Sequence, residues 1–346
     1  MKMTIRFASL VAAFAFGSAL AACSSNSVKL TPQPTATPQP SPTPTPAAVH
    51  YTAIGASDAV GYGASVPCAN PPTVAVPTCP GGTGYVPDLA KLLTNAGSVV
   101  TLNDLGISGA VLGPDILSTV NMYGALGTPD ECMPRTAGVD ADPADFITAE
   151  LPHLTGTETL VTVFAGGNDT NGIANAAGCM AAANPPATTS QIDAFVATEI
   201  GAFGADLETL LGAVHAKAPN AKIYVANLPN FALIPVGQEQ SVAGQQLLSA
   251  ISVGIDLQVI DPIAATGTPV IDLLCNPQSY VPANFYTDGF HPNDAGYAAF
   301  AAAFYAQITA TTPAAPSSTC SYIPTTNLKV RTLPSSAFPD FSRGKT

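Results

Sequence analysis

The sequence predicts an α/β domain in which a parallel sheet is covered by helices on both faces. Five short apolar, β-branched runs carry the prediction: "HYTAIG", "SVVTLNDLG", "ETLVTVFAGG", "KIYVANLP" and "TPVIDLL". Each run ends in a glycine or polar turn and gives way to a helical pattern, and strands that alternate with helices build parallel sheets. The stretch from 49 to 312 is long enough for one such domain, and its apolar content is high enough to fill a core.

In chain order, the first run breaks off at Gly55 into Ala56, Ser57 and Asp58, with Gly61 and Gly63 close behind. In "YVPDLAKLLTNAG", Val86, Leu89, Leu92 and Leu93 share one face and Gly97 stands at the C-cap, which predicts a helix. From 190 to 217, Ile192, Phe195, Val196, Ile200, Phe203, Leu207, Leu210, Leu211 and Val214 recur three or four apart, with Ser190 placed to cap the first turn. Helices are also expected over 237–258 and 293–308. Segments 64–82, 112–157 and 171–189 are rich in Pro, Gly, Ala and Asn and read as irregular loops. Such loops, where they follow strands, overhang the ligand crevice of an open α/β sheet.

The N-terminus carries an address. Lys2 and Arg6 precede "FASLVAAFAFGSALAA", an apolar stretch with the length and small-residue ending of a secretory signal, so residues 1–22 are expected to be a signal peptide. Leu20, Ala21, Ala22 and Cys23 resemble a bacterial lipobox, which implies lipidation at Cys23 and the cell envelope, with Ser24 implying the outer membrane. Residues 23–48 include "LTPQPTATPQPSPTPTPAA", where proline is too dense for helix or sheet and the chain is expected to run as an extended spacer. Residues 313–346 read as a Pro/Ser/Thr-rich tail with four cations.

Lys and Arg number 11 against 23 Asp and Glu, a formal net charge of −12. Within 49–312 the cations are Lys91, Arg135, Lys217 and Lys222. A surface this acidic repels phosphate backbones, so nucleic-acid binding is excluded and membrane contact is expected only through the lipid anchor. Of the seven cysteines, Cys68, Cys79, Cys132, Cys179, Cys275 and Cys320 form an even set in an exported chain, and three disulfides are expected. Spacing does not decide the connectivity; pairing of sequence neighbours (68 with 79, 132 with 179, 275 with 320) is preferred. Clustered metal-ligand spacing is absent, and "DADPAD" (140–145) lacks the glycine and glutamate of a calcium loop, so no metal is expected.

A serine hydroxyl is a weak nucleophile until a base takes its proton, and the base works better when a carboxylate fixes its tautomer. Ser57, in a strand-to-helix turn, therefore needs a histidine. His50 begins a strand, His153 sits in "ELPHL" and His215 lies within a long helix, each read as a surface or packing residue, whereas His291 in "YTDGFHPNDAGY" follows Asp288 by three residues, in a loop after the last strand. Acyl transfer also needs donors aimed at an oxyanion. "LGISGA", with Gly109, and "AGGND", with Asn168, offer them.

In this order, "GASDAVGYG", "LGISGA", "GGND" and "DGFH" with "PNDAGY" resemble the four signature blocks of the SGNH/GDSL hydrolase family. The resemblance implies a flavodoxin-like three-layer α/β/α sandwich with a five-stranded parallel sheet. It implies Ser57 as nucleophile, His291 as base and Asp288 as its partner, with Ser57, Gly109 and Asn168 as oxyanion donors and no cofactor. One departure stands out: where the family usually reads Gly-Asp-Ser-Leu, this chain has Gly55, Ala56, Ser57 and Asp58. The expectation is a tethered serine esterase or lipase acting on small-molecule or lipid esters. The alternatives are a polysaccharide O-acetylesterase and a non-catalytic surface lipoprotein on the same scaffold.

Overall fold

The structure is a computed structural model that describes residues 47–68, 82–123, 132, 144–317 and 319–324. The expected signal peptide, Cys23, nearly all of the proline-rich spacer, Cys79, Arg135 and residues 325–346 lie outside the described residues.

Five strands, β1 (Ala48–Gly55), β2 (Val99–Asp104), β3 (Leu160–Phe164), β4 (Lys222–Ala226) and β5 (Val270–Ile271), form one sheet in the order β2-β1-β3-β4-β5. Every neighbouring pair is parallel. Central β3 is buried along its whole length, which is why "LVTVF" reads as a continuous apolar run rather than an alternating one. Its one polar side chain, Thr162, is matched by Tyr51 Oη at 3.0 Å, so neither hydroxyl is left unpaired in the core.

Helices α1 (Ser57–Val60), α2 (Tyr85–Asn95) and α9 (Asp294–Thr309) form one layer, where Tyr85 stacks on Phe304 at 5.0 Å. Helices α3 (Pro114–Tyr123), α4 (Gly167–Ala182), α5 (Thr189–Lys217) and α7 (Val242–Ile255) pack together as the other. Two short helices, α6 (Pro235–Gln238) and α8 (Asp261–Ala264), flank α7. The three-layer α/β/α sandwich is therefore present, with the turns after β1, β2, β3 and β4 gathered at the carboxyl edge of the sheet.

Several local expectations need correction. The first is 171–189: most of this expected loop belongs to α4, whose small Gly and Ala residues let a helix be buried among α3, α5 and α7. Within 112–157, α3 and a π-helical turn, Phe146–Glu150, replace irregular chain. The helix expected over 237–258 is broken where Ser241 accepts a hydrogen bond from the Gly244 N–H and caps a new start. "TPVIDLL" yields only two ladder residues because the Asn227 side chain accepts from the Leu273 and Leu274 N–H groups at 2.6 and 2.9 Å in place of a strand partner. Gly97 lies one residue beyond the α2 cap, Ala96, in the left-handed conformation.

Cys132 pairs with Cys179 and Cys275 with Cys320, with Cα separations of 5.2 and 5.8 Å. Cys68 is also disulfide-bonded. The second bridge draws residues 319–324 onto the body, and Ser317 N–H donates to Asp272 Oδ2 at 2.8 Å, so the described part of the tail is fastened rather than trailing.

The cap of α5 also differs from expectation. Thr188 precedes the helix, and Gln191 returns its side chain to the Thr188 N–H at 2.8 Å, a reciprocal capping box, while Ser190 lies inside the first turn. Thr188→Ala is expected to cost about 1 kcal/mol, and Ser190→Ala less than about 0.5 kcal/mol. Denaturant unfolding of the two variants distinguishes these outcomes; equal losses would refute the assignment of the cap.

Candidate active site

Strand β1 ends at Gly55, and the chain turns through Ala56 directly into α1, which places Ser57 at the first helical position. Ser57 is 6% exposed. The two glycines behind it are required by sterics. Gly61 has φ of +75°, and a Cβ there would lie 2.6 Å from the Thr83 carbonyl oxygen. Gly63 has φ of +91°, and a Cβ would lie 2.7 Å from the Pro292 carbonyl oxygen and 2.9 Å from Tyr286 Cβ. The second contact presses the nucleophile turn against the segment that carries His291.

That segment is a small hairpin. Phe285 and Pro292 form an antiparallel bridge, and the Tyr286 N–H donates to the His291 carbonyl at 2.8 Å. Asn293 locks its base by accepting from the Ala295 and Gly296 N–H groups of α9 and donating to the Ala283 and Phe285 carbonyls. Within the turn, Asp288 Oδ1 accepts from the Phe290 and His291 N–H groups at 2.9 and 3.0 Å. Its other oxygen lies 2.7 Å from His291 Nδ1, and His291 Nε2 lies 2.8 Å from Ser57 Oγ. Burial alone would raise the Asp288 carboxyl, but the hydrogen bond and charge of His291, with the two backbone donors, hold it below the ordinary carboxylate range. An ionised Asp288 accepts a hydrogen bond from the protonated Nδ1, which leaves Nε2 to accept from the serine hydroxyl.

The other expected residues, Gly109 and Asn168, are drawn together by α4 and the segment after β2. Asn168, 6% exposed, opens α4 and donates from Nδ2 to the Ala110 carbonyl at 2.7 Å. The next residue, Asp169, accepts from the Leu112 N–H at 2.9 Å. Together they clamp the segment after β2 that contains Gly109, which has φ of +80° and open space where a side chain would stand. Asp169 is thus a loop fastener.

Three features were not found by reading the sequence. Fully buried Glu150 reaches beneath the nucleophile turn and accepts from the Gly55 N–H at 3.0 Å. Tyr62, 48% exposed, lies with its ring centroid 4.6 Å from the His291 imidazole. A group of phenylalanines gathers from distant segments beside Asp58. A lone carboxylate in "FITAELPHL" and scattered aromatics carry no sequence signal, because only tertiary packing brings them together.

A parallel sheet with a serine, an imidazole and a carboxylate in hydrogen-bonded series at its carboxyl edge defines a hydrolase-type α/β/α scaffold. The chain belongs to the GDSL-like Lipase/Acylhydrolase family, whose model matches residues 53–299. Solved structures similar to it include phospholipase A1 from Streptomyces albidoflavus NA297, 18% identical over 75% of this chain and 98% of that one, with a TM-score of 0.45. Others are an extracellular lipase from Streptomyces rimosus, 16% identical over 74% and 98% with a TM-score of 0.42, and a family 3 carbohydrate esterase from Clostridium thermocellum, 17% identical over 75% and 94% with a TM-score of 0.37. No curated protein matches the chain in sequence.

Buried carboxyls around the site make stability depend on pH. Desolvation pushes Asp104 up to about 7 against the hydrogen bond from the Gly106 N–H. It pushes Asp169 up to about 7 against the Leu112 N–H, and Glu150 well above its ordinary value. Each holds a proton in the folded chain at pH values where the unfolded chain has released it, so stability falls as pH rises from the unfolded pKa toward the folded one. Asp288 has the opposite sign: its contribution is present above the unfolded pKa and is lost as pH falls through its depressed value. The raised groups dominate above about pH 4. Thermal unfolding at constant ionic strength should therefore show a Tm that drops between pH 5 and 8, by the equivalent of about a few kcal/mol. Asp104→Asn should flatten that slope; a Tm that rises over this range would contradict the assignment.

Proposed function

We propose that the chain is a serine ester hydrolase of the cell envelope. The observation that supports this most directly is the unbroken series Ser57 Oγ, His291 Nε2, His291 Nδ1 and Asp288 Oδ2, with separations of 2.8 and 2.7 Å. Ser57 attacks the ester carbonyl while His291 takes its proton, and the imidazolium then protonates the leaving alcohol. Water, activated by the same imidazole, releases the acyl group. The oxyanion is held by the Ser57 and Gly109 N–H groups and by Asn168, whose Nδ2 has a second hydrogen beyond the one given to Ala110. The disulfides at Cys132–Cys179 and Cys275–Cys320 support an oxidising compartment. A lipid on Cys23 would tether the domain there.

A fluorophosphonate probe is expected to label the parent protein and to leave Ser57→Ala unlabelled. Asn168→Ala should lower kcat on 4-nitrophenyl acetate about 10²–10³-fold with little change in KM, as loss of an oxyanion donor requires. A folded parent that neither labels nor hydrolyses any ester would establish the non-catalytic alternative. For the anchor, metabolic labelling with radioactive palmitate in a bacterial host should mark the parent and not Cys23→Ser; equal signals would refute lipidation at that residue.

A further inference from the structure

Beside Ser57 lies a recognition element that ester cleavage alone does not require. A cavity opens between Asp58 and five phenylalanines, Phe164, Phe231, Phe285, Phe290 and Phe300. Its enclosed volume is small, about 30 Å³, and the space continues outward into solvent. Gly167, which also lines it, marks where these groups converge. A Cβ built there would lie 3.7 Å from the Phe290 ring tip, 3.8 Å from that of Phe231 and 4.0 Å from Asp58 Oδ2. Phe231 and Phe290 meet edge to face, with centroids 5.4 Å apart. Because Phe290 and Gly167 adjoin His291 and Asn168 in sequence, the cavity shares a wall with the site where the ester must lie.

Asp58 is the one polar side chain among the described residues lining this space. Asp288 and His291 are the charged and titratable groups that act on it most, and none of the described lysines, Lys91, Lys217 and Lys222, lines the cavity. A carboxylate facing aromatic walls is costly unless it is protonated or given a cation. Ring faces, in turn, attract cations and bury the alkyl shell of an organic ammonium group. An apolar acyl chain would satisfy the rings but give Asp58 no partner within the cavity, where His291 acts on it from outside the lining, whereas an alkylammonium satisfies both. The formal net charge of −12 raises the local concentration of such ligands.

We propose that this cavity is a cation subsite that takes an organic ammonium group carried by the ester substrate, with Asp58 as the specificity-determining residue. The proposal rests on the ester-hydrolase reading and narrows its substrates to positively charged esters.

Two isosteric ester pairs test it by pH-stat titration. Acetylcholine is compared with 3,3-dimethylbutyl acetate, and betaine ethyl ester with ethyl 3,3-dimethylbutanoate; each pair exchanges a trimethylammonium for a tert-butyl group of the same shape. The parent should favour the charged member of at least one pair, and Asp58→Asn should reduce that preference about tenfold. Taking the ratio within a pair cancels intrinsic ester reactivity and any general loss of rate. A ratio that does not change in Asp58→Asn overturns the proposal, as does faster hydrolysis of the neutral esters by that variant with no charge preference in the parent. Calorimetric titration with tetramethylammonium reads the subsite without turnover: saturable binding in the parent that Asp58→Asn lacks supports it, and no binding in the parent overturns it. Binding without hydrolysis of any ester would sink the ester-hydrolase reading and keep the cation site, whereas hydrolysis without charge preference would do the reverse.

Discussion

The close contact between the Ser57 turn and the 285–292 hairpin is the constraint on which the site depends. Ser57 and His291 are 234 positions apart, and no local geometry can hold their side chains at 2.8 Å. The approach is possible because Gly63 presents bare backbone to the Pro292 carbonyl and Tyr286, where any side chain would collide. Tyr297 of α9 adds a second tie, its hydroxyl donating to the Tyr62 carbonyl at 2.7 Å. Asn293 then sets the direction in which α9 leaves the hairpin. The position of the imidazole is thus fixed from both flanks before Asp288 orients its ring.

Carboxyl groups within a short reach of Ser57 are held in different electrostatic states by their surroundings. Asp288 has two backbone donors and the imidazole, so its charged form prevails over burial. Glu150 has the Gly55 N–H on one oxygen and no partner on the other, so desolvation prevails and the proton is held far up the scale. Asp58 lies between them: burial raises it first, the charge of His291 pulls it down, and Asp288 raises it again. Identical chemistry is sorted by donors and solvent, which is the usual way a protein divides acid and base tasks.

Much of this was legible in the sequence because it is local. The five strands announced themselves as apolar runs, and the Asp288-to-His291 spacing describes one tight turn, so both were found by pattern. Of the elements misread as loops, α4 is built largely of Gly and Ala, whose burial depends on neighbours the pattern does not name, and α3 is a ten-residue helix set in a segment rich in Gly and Pro. Ser190 looked like a cap because the capping box at Thr188 is recognised only when Gln191 is seen to return its side chain. Glu150, Tyr62 and the phenylalanine group were invisible for the same reason: each brings together separate parts of the chain, and composition carries no record of such meetings.

The departure from Gly-Asp-Ser-Leu to Gly55-Ala56-Ser57-Asp58 acquires a physical meaning in this setting. Ala56 is nearly buried, and its carbonyl accepts from the Ala59 and Val60 N–H groups, so the position before the serine serves the start of α1 and carries no charge. A carboxyl beneath the turn is supplied instead by Glu150, from a different part of the chain, through the Gly55 N–H. The carboxylate after the serine is then not a displaced copy of the missing one, since it bonds to neither Gly55 nor the loop after β2 but borders the aromatic cavity. Structural support and ligand-facing charge, which one side chain could otherwise combine, are here divided between two residues. Exchange at position 58 can therefore alter what the site accepts while Glu150 continues to hold the turn.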